Sequence, residues 1–253
     1  MVDLHDLAGE LIAREGRGST PFGLYILPAH APAAELGRAV ERSVFMEYFG
    51  NSPELLTEEY QPYDDGSVFI VVIDHVLRQP AGAMRLLLPG TPSKSLHDIR
   101  RVWEQDPADV IARSCPHFDA DRSWDIATLA VMPGYRRSST AGLISLAMYQ
   151  AVGVLSHEHG IDWLVAILDV VVLDLIQTLL RRAFTPFDHL EPRNYLDSPS
   201  SLPVYLDLVE QRRRIALIDP DLYERFTFGG GLEAAVSMPG DAEAVVLRPV
   251  AAG

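Results

Sequence analysis

The chain of 253 residues carries 35 Asp and Glu against 21 Lys and Arg, a formal net charge of −14, with 48% hydrophobic and 22% charged residues. This is the composition of a globular protein, and so acidic a surface argues against general binding to nucleic acid or anionic membrane. No apolar run approaches the ~20 residues of a membrane helix, Met1 to Arg17 does not read as a secretory signal, and the lone Cys115 excludes an internal disulfide and fits a reducing cytoplasm.

Asp3 to Arg14 spaces Leu4, Leu7 and Leu11 at helical intervals, an N-terminal arm over 1–20 that Gly16 and Gly18 stop. Phe22 to Leu27 is a first strand. Ala33 to Phe49 is a long helix with Leu36, Val40, Val44 and Tyr48 on one face, closed by Gly50. Ser52-Pro53-Glu54 opens a second helix that ends before Pro62. Asp64-Asp65-Gly66 turns into a strand over Ser67 to Asp74, and a turn at Arg78-Gln79-Pro80 returns the chain as a strand over Ala81 to Leu88.

Residues 89–122, rich in Pro, Asp and Ser, read as an insertion or mobile lid with short helices over Ser95 to Gln105 and Pro107 to Arg113. Ser123 to Val131 is a strand. An Arg- and hydroxyl-rich loop follows, then a helix and a buried strand over Ile161 to Asp169. A helix over Val170 to Phe184 comes next, then a Pro-rich connector over Phe187 to Ser201, and a strand over Leu202 to Leu208. Residues 211–253 form a C-terminal extension: a mixed tail over Arg212 to Phe228, a Gly229-Gly230-Gly231 hinge, and an edge hairpin from Leu232 to Met238 and Ala244 to Leu247. The pattern predicts one α/β domain built on a mixed, mostly antiparallel sheet flanked by helices, and neither a TIM barrel nor a doubly wound fold.

Strict alternation over Trp124 to Val131 puts Trp124, Ile126 and Thr128 on one face and Asp125, Ala127, Leu129 and Val131 on the other. Asp125 is then a carboxylate on an apolar face, where burial raises its pKa and suits it to act as a base. The alternative is a strand-end acid paired with an arginine such as Arg85. The loop Arg136-Arg137-Ser138-Ser139-Thr140-Ala141 places positive charge and backbone donors at a helix N-terminus, a setting for phosphate. No metal site is expected, because His157 and His159 lie two apart on a helix and no third ligand is spaced with them. Cys115 and His117 are sequence neighbours and are not read as a nucleophile pair.

Strand, Val-x-Pro-x-Tyr-Arg, helix, strand and helix in this order resemble the GNAT acyltransferase superfamily, whose signature loop falls on Arg136 to Ala141. Ser139 replaces its first glycine, and Leu179 stands where many members carry a tyrosine acid. Within the superfamily, Trp124-Asp125-Ile126-Ala127-Thr128-Leu129-Ala130-Val131 and Gly82-Ala83-Met84-Arg85-Leu86-Leu87-Leu88-Pro89 are similar to strands of the acyl-homoserine-lactone synthases. The long-chain N-acyl amino acid synthases share that outline. Thr128 and Gln61 replace an arginine and an aspartate of the lactone synthases.

The resemblance implies aminolysis of a thioester: transfer of an acyl group, of medium or long chain, to a small-molecule amine. The donor is coenzyme A (acyl-CoA) or the acyl-phosphopantetheine of an acyl carrier protein. Asp125 is the implied base, and a backbone amide near Val131 the implied oxyanion donor. Arg136, Arg137, Ser138, Ser139, Thr140 and Ala141 would hold the phosphates. Arg85 would orient a substrate carboxylate, or serve as a structural ion pair with Asp125 or Asp64. A short-chain, acetyl-CoA-dependent N-acetyltransferase and a non-catalytic module that binds an acyl ligand or a protein are the alternatives.

Overall fold

Buried strands of this chain are written as near-continuous apolar runs. Ser67–Asp74 (β2) reads Ser-Val-Phe-Ile-Val-Val-Ile-Asp and is buried at every position, as a strand covered on both faces must be. The computed structural model describes residues 3–136, 140, 142–181, 183–239 and 247. In chain order the helices are α1 (Leu4–Glu15), α2 (Glu35–Phe49), α3 (Pro53–Tyr60), α4 (Lys94–Trp103), α5 (Pro107–Ser114), α6 (Leu143–Glu158), α7 (Val170–Leu179), α8 (Leu208–Ile218) and α9 (Pro220–Phe228). The other strands are β1 (Phe22–Pro28), β3 (Gln79–Leu87), β4 (Ser123–Val131), β5 (Trp163–Asp169), β6 (Thr185–Pro186), β7 (Arg193–Tyr195), β8 (Ser198–Asp207) and β9 (Val236–Ser237).

They form one sheet in the order β6-β8-β5-β4-β3-β2-β1-β9, with β7 on β8. The pairings are antiparallel except β4 with β5 and β1 with β9, so the sheet is mixed and mostly antiparallel, as expected. One face packs Leu24, Ile70, Met84 and Trp124 against Ala147 and Met148 of α6. The opposite face packs Tyr25, Phe69, Val71 and Ala83 against Leu11 of α1 and Leu36 and Val40 of α2. Gly37 brings α2 down on this face, since a Cβ there would stand 2.4 Å from the Phe69 ring. Among the described residues no helix is long and apolar enough to cross a membrane.

Residues 89–122 carry α4 and α5, whose Ile99, Trp103 and Val110 enter the larger core. Several later elements differ from the sequence reading. The helix after β5 stops at Leu179, because Arg181 takes a left-handed φ of 55° and the Gln177 amide bonds both the N–H and the carbonyl of Phe184. The expected connector over Phe187 to Ser201 already holds β7 and the start of β8, and β6 precedes it. The mixed tail is two helices, begun by the side chains of Asp207 and Asp219, which accept from Glu210 N and Leu222 N. Within the expected C-terminal hairpin, Val236–Ser237 (β9) pairs in parallel with β1, while 240–246, which include most of its second arm, lie outside the described residues.

Candidate active site

β4 and β5 pair in parallel only from Ser123↔Trp163 to Ile126↔Ala166. Both strands continue beyond that point, β4 along β3 to Val131 and β5 along β8 to Asp169. The separation begins at a bulge: Arg85 pairs with Thr128 but Leu86 pairs with Ile126, so Ala127 is an extra residue. A bulge bends and twists the strand that carries it. The opened wedge is a cleft of about 590 Å³, flanked by Val44, Phe45, Tyr48 and Phe49 of α2 and by Val172, Leu175 and Leu179 of α7. Tyr149 and Ser145 of α6 line it too, and Tyr60, Tyr195, Ser198 and Ser201 add hydroxyls.

The bulge also corrects the expected alternation. Trp124 and Ile126 belong to the α6-side core, and Leu129 and Val131 pack against that same core. Ala130 belongs to the opposite core, and Thr128 reaches α2, where its hydroxyl donates to Glu41 Oε1 at 2.5 Å. One extra residue has exchanged the faces of Thr128 and Leu129.

Asp125 is buried, and burial, offset in part by hydrogen bonds from Ser93 and Ser95, raises its pKa as expected. Its position is not the expected one. It is not among the residues lining the cleft. One oxygen accepts from Ser93 Oγ (2.6 Å) and Ser95 N (2.7 Å), the other from Ser95 Oγ (2.7 Å). The carboxylate therefore holds the first turn of α4, where a negative charge meets unpaired helix N–H groups. It is not paired with Arg85.

Arg85 is buried and fully engaged. Nε and Nη2 donate to the two oxygens of Glu41 at 3.0 and 2.8 Å, and Nη1 donates to Asp64 at 2.7 Å. Its guanidinium lies over the Phe69 and Tyr60 rings at 4.5 and 5.1 Å. Burial opposes its charge, but Glu41 and Asp64 outweigh that and raise its pKa. The structural ion pair with Asp64 is the arrangement present, and the guanidinium fork read as a group for a substrate carboxylate is occupied by Glu41 and Asp64.

At the other end of β4, the Met132 N–H is bonded to Ala81 O at 2.9 Å. Backbone alternation then turns the Val131 N–H toward the split, and the Val131 carbonyl accepts from Arg136 Nε at 2.7 Å. The Arg136 guanidinium lies 4.0 Å over the Tyr48 ring. Thr140 O accepts from Leu143 N (2.9 Å) at the start of α6, where Gly142 takes a φ of 86°. Arg137, Ser138, Ser139 and Ala141 lie outside the described residues.

A second, apolar pocket of about 70 Å³ adjoins the cleft and shares Ile126, Leu129, Tyr149 and Leu168 with it. Burial pushes the Tyr149 phenol up to about 12.

No family model and no curated protein matches the sequence. Solved structures do match. A CoA-dependent acyl-homoserine lactone synthase, BjaI, with SAM and isopentyl-CoA is similar at 20% identity and a TM-score of 0.58, over 89% of this chain and 98% of that one. FeeM, an N-acyl amino acid synthase from uncultured soil microbes, is similar at 14% identity and a TM-score of 0.56, over 77% and 95%. The AHL synthase LasI is similar at 13% identity and a TM-score of 0.52, over 84% and 97%.

The fold is GNAT-like.

Around the cleft of this GNAT-like fold the sequence reading missed a buried ionic group. Lys94 Nζ donates to Glu59 (2.6 Å), Asp98 (2.5 Å) and the Tyr195 hydroxyl (3.0 Å), and Tyr195 donates to Asp98 at 2.6 Å. Burial opposes the Asp98 charge, yet Lys94, Tyr195 and Arg101 together lower its pKa. The signal available was the i, i+4 spacing of Lys94 and Asp98 at a helix start. Glu41 carried no such signal, since a lone acid within the apolar stripe of α2 reads as solvated.

Proposed function

We propose that this chain is an N-acyltransferase that moves an acyl group from the thioester of coenzyme A to an amine. One observation carries the reading: the cleft at the β4–β5 split, with the Val131 N–H turned toward it and Arg136 at its end. The likeness in fold to a CoA-dependent acyl-homoserine lactone synthase and to an N-acyl amino acid synthase supports it.

The pantetheine arm takes the edge of β4 that β5 leaves unpaired, and Arg136 with the loop through Ala141 receives the phosphates. The thioester carbonyl oxygen accepts from the Val131 N–H, which stabilises the oxyanion as the amine attacks. The C–N bond forms, the C–S bond breaks, and the amine proton passes to the Thr128 hydroxyl as that hydroxyl gives its own to Glu41. This route takes the place of Asp125. The acyl chain is of medium or greater length, its tail passing Tyr149 into the apolar pocket.

The test is a series of acyl-CoA thioesters, from acetyl upward, offered to the protein in thermal-shift and thiol-release assays with primary amines. Stabilisation by CoA thioesters and amine-dependent release of free CoA are expected, with amide products by mass spectrometry. Absence of any shift or release across the series overturns the CoA-donor reading, and transfer from an acylated carrier protein alone would assign the donor to that class.

A further inference from the structure

The cleft also bears on what kind of amine enters it. Among the described residues lining it, the charged side chains are Arg136 and Asp169. Arg136 stands at the loop end, bonded to Val131 O and stacked on Tyr48. Asp169 holds Ser198 Oγ (2.7 Å) and the first turn of α7. The cations behind the opposite end are spent. Both edges of the Arg85 fork are on Glu41 and Asp64, and Lys94 has directed its three N–H groups at Glu59, Asp98 and Tyr195. A substrate carboxylate placed there would lose its hydration without gaining a cation.

The same region offers aromatic and aliphatic surface from Val44, Phe45 and Phe49, with Phe45 and Phe49 in ring contact at 5.7 Å. Tyr60 and Ser201 line the same cleft, and their hydroxyls can accept from an amine N–H. The formal charge of −14 attracts a cationic amine during approach and exerts no such net pull on a zwitterionic amino acid.

We propose that the acceptor is a primary amine with an apolar body and no carboxylate, of the arylalkyl- or alkylamine class. This rests on the acyltransferase reading of the cleft.

The experiment compares phenethylamine with phenylalanine, which share an aromatic body and amine and differ by one carboxylate. Turnover is measured with a single saturating acyl-CoA, and binding of each compound is measured separately by calorimetry in the presence of free CoA. The expected result is a kcat/KM for phenethylamine at least about 100-fold above that for phenylalanine, with the same order in binding. Equal or better use of phenylalanine, or binding of neither compound, overturns the inference. Binding of phenethylamine alone without transfer supports the acceptor class and removes the transferase reading, so the two failures are distinguishable.

Discussion

Thr128 and Glu41 meet across β4 and α2 through a 2.5 Å hydroxyl–carboxylate bond, and the bulge at Ala127 is what turns Thr128 to that side. Glu41 is at the same time the two-oxygen partner of Arg85. The pair thus joins a buried charge network to a hydroxyl lining the cleft. Thr128→Val removes the hydroxyl at nearly constant volume. It is expected to lower kcat by about 10²-fold, in the range of a lost proton-transfer group, with donor KM little changed. Steady-state kinetics with acyl-CoA check this, and an unaltered kcat removes the relay. Glu41→Gln is a different kind of change: it leaves buried Arg85 with Asp64 but without its two-oxygen anion, and is expected to cost about 3 kcal/mol of stability by urea unfolding.

Asp125→Asn separates two roles. The geometry ties the carboxylate to Ser93 and Ser95 at the start of α4, so the variant is expected to lose about 1–3 kcal/mol of stability while kcat stays near that of the parent. A large fall in kcat at unchanged stability would return Asp125 to the role of base. The pH dependence has a definite sign. Its native pKa is raised, chiefly by burial, so the native state holds the proton more tightly than the unfolded chain. The advantage of Asp over Asn is therefore full below about pH 4 and declines as pH rises through the raised native value. Unfolding free energies of both proteins across pH 4 to 8 measure it.

Much of this fold is legible in local signals. Gly16 and Gly50 terminate α1 and α2 in left-handed conformations of φ 66° and 71°, and Ser52-Pro53 opens α3 as read. Strands β1, β2 and β3 follow their apolar runs. The cleft is less legible because it depends on register. A bulge leaves no mark in a sequence such as Trp124 to Val131, yet one unpaired residue moved Thr128 to the α2 face and Leu129 to the α6 face. Asp64 is one of two ion-pair partners read for Arg85, beside a substrate-orienting role, but Glu41 lies 44 positions away on α2, and only the tertiary packing of α2 over β3 brings it there. The tail reads only as mixed because Arg212-Arg213-Arg214 masks the apolar side of α8, where Leu208 and Ile215 are buried.

Cys115 offers a test of packing independent of the cleft. It is 3% exposed, and burial first, then Asp188 and Asp207, push its thiol up to about 12. At pH 8 only about one molecule in 10⁴ carries the reactive thiolate. Labelling by a disulfide reagent is expected to be at least about 10³-fold slower in the native protein than in guanidinium. Rapid stoichiometric labelling of the folded chain contradicts this burial.

On the proposed reading, Tyr149 limits how far an acyl chain reaches. It is shared by the cleft of about 590 Å³ and the apolar pocket of about 70 Å³, together with Ile126, Leu129 and Leu168. Because the residue lines both spaces, truncating its ring would join them. Tyr149→Ala is expected to move the preferred donor to a chain several carbons longer, at a stability cost of about 3 kcal/mol. Tyr149→Phe keeps the ring and the parent's preference. Thiol-release kinetics across an acyl-CoA series read the optimum directly. An unshifted optimum in the alanine variant, with the fold intact by circular dichroism, would mean that the chain lies elsewhere than past Tyr149. A shift in the phenylalanine variant as well would trace the preference to the hydroxyl rather than to the bulk of the ring.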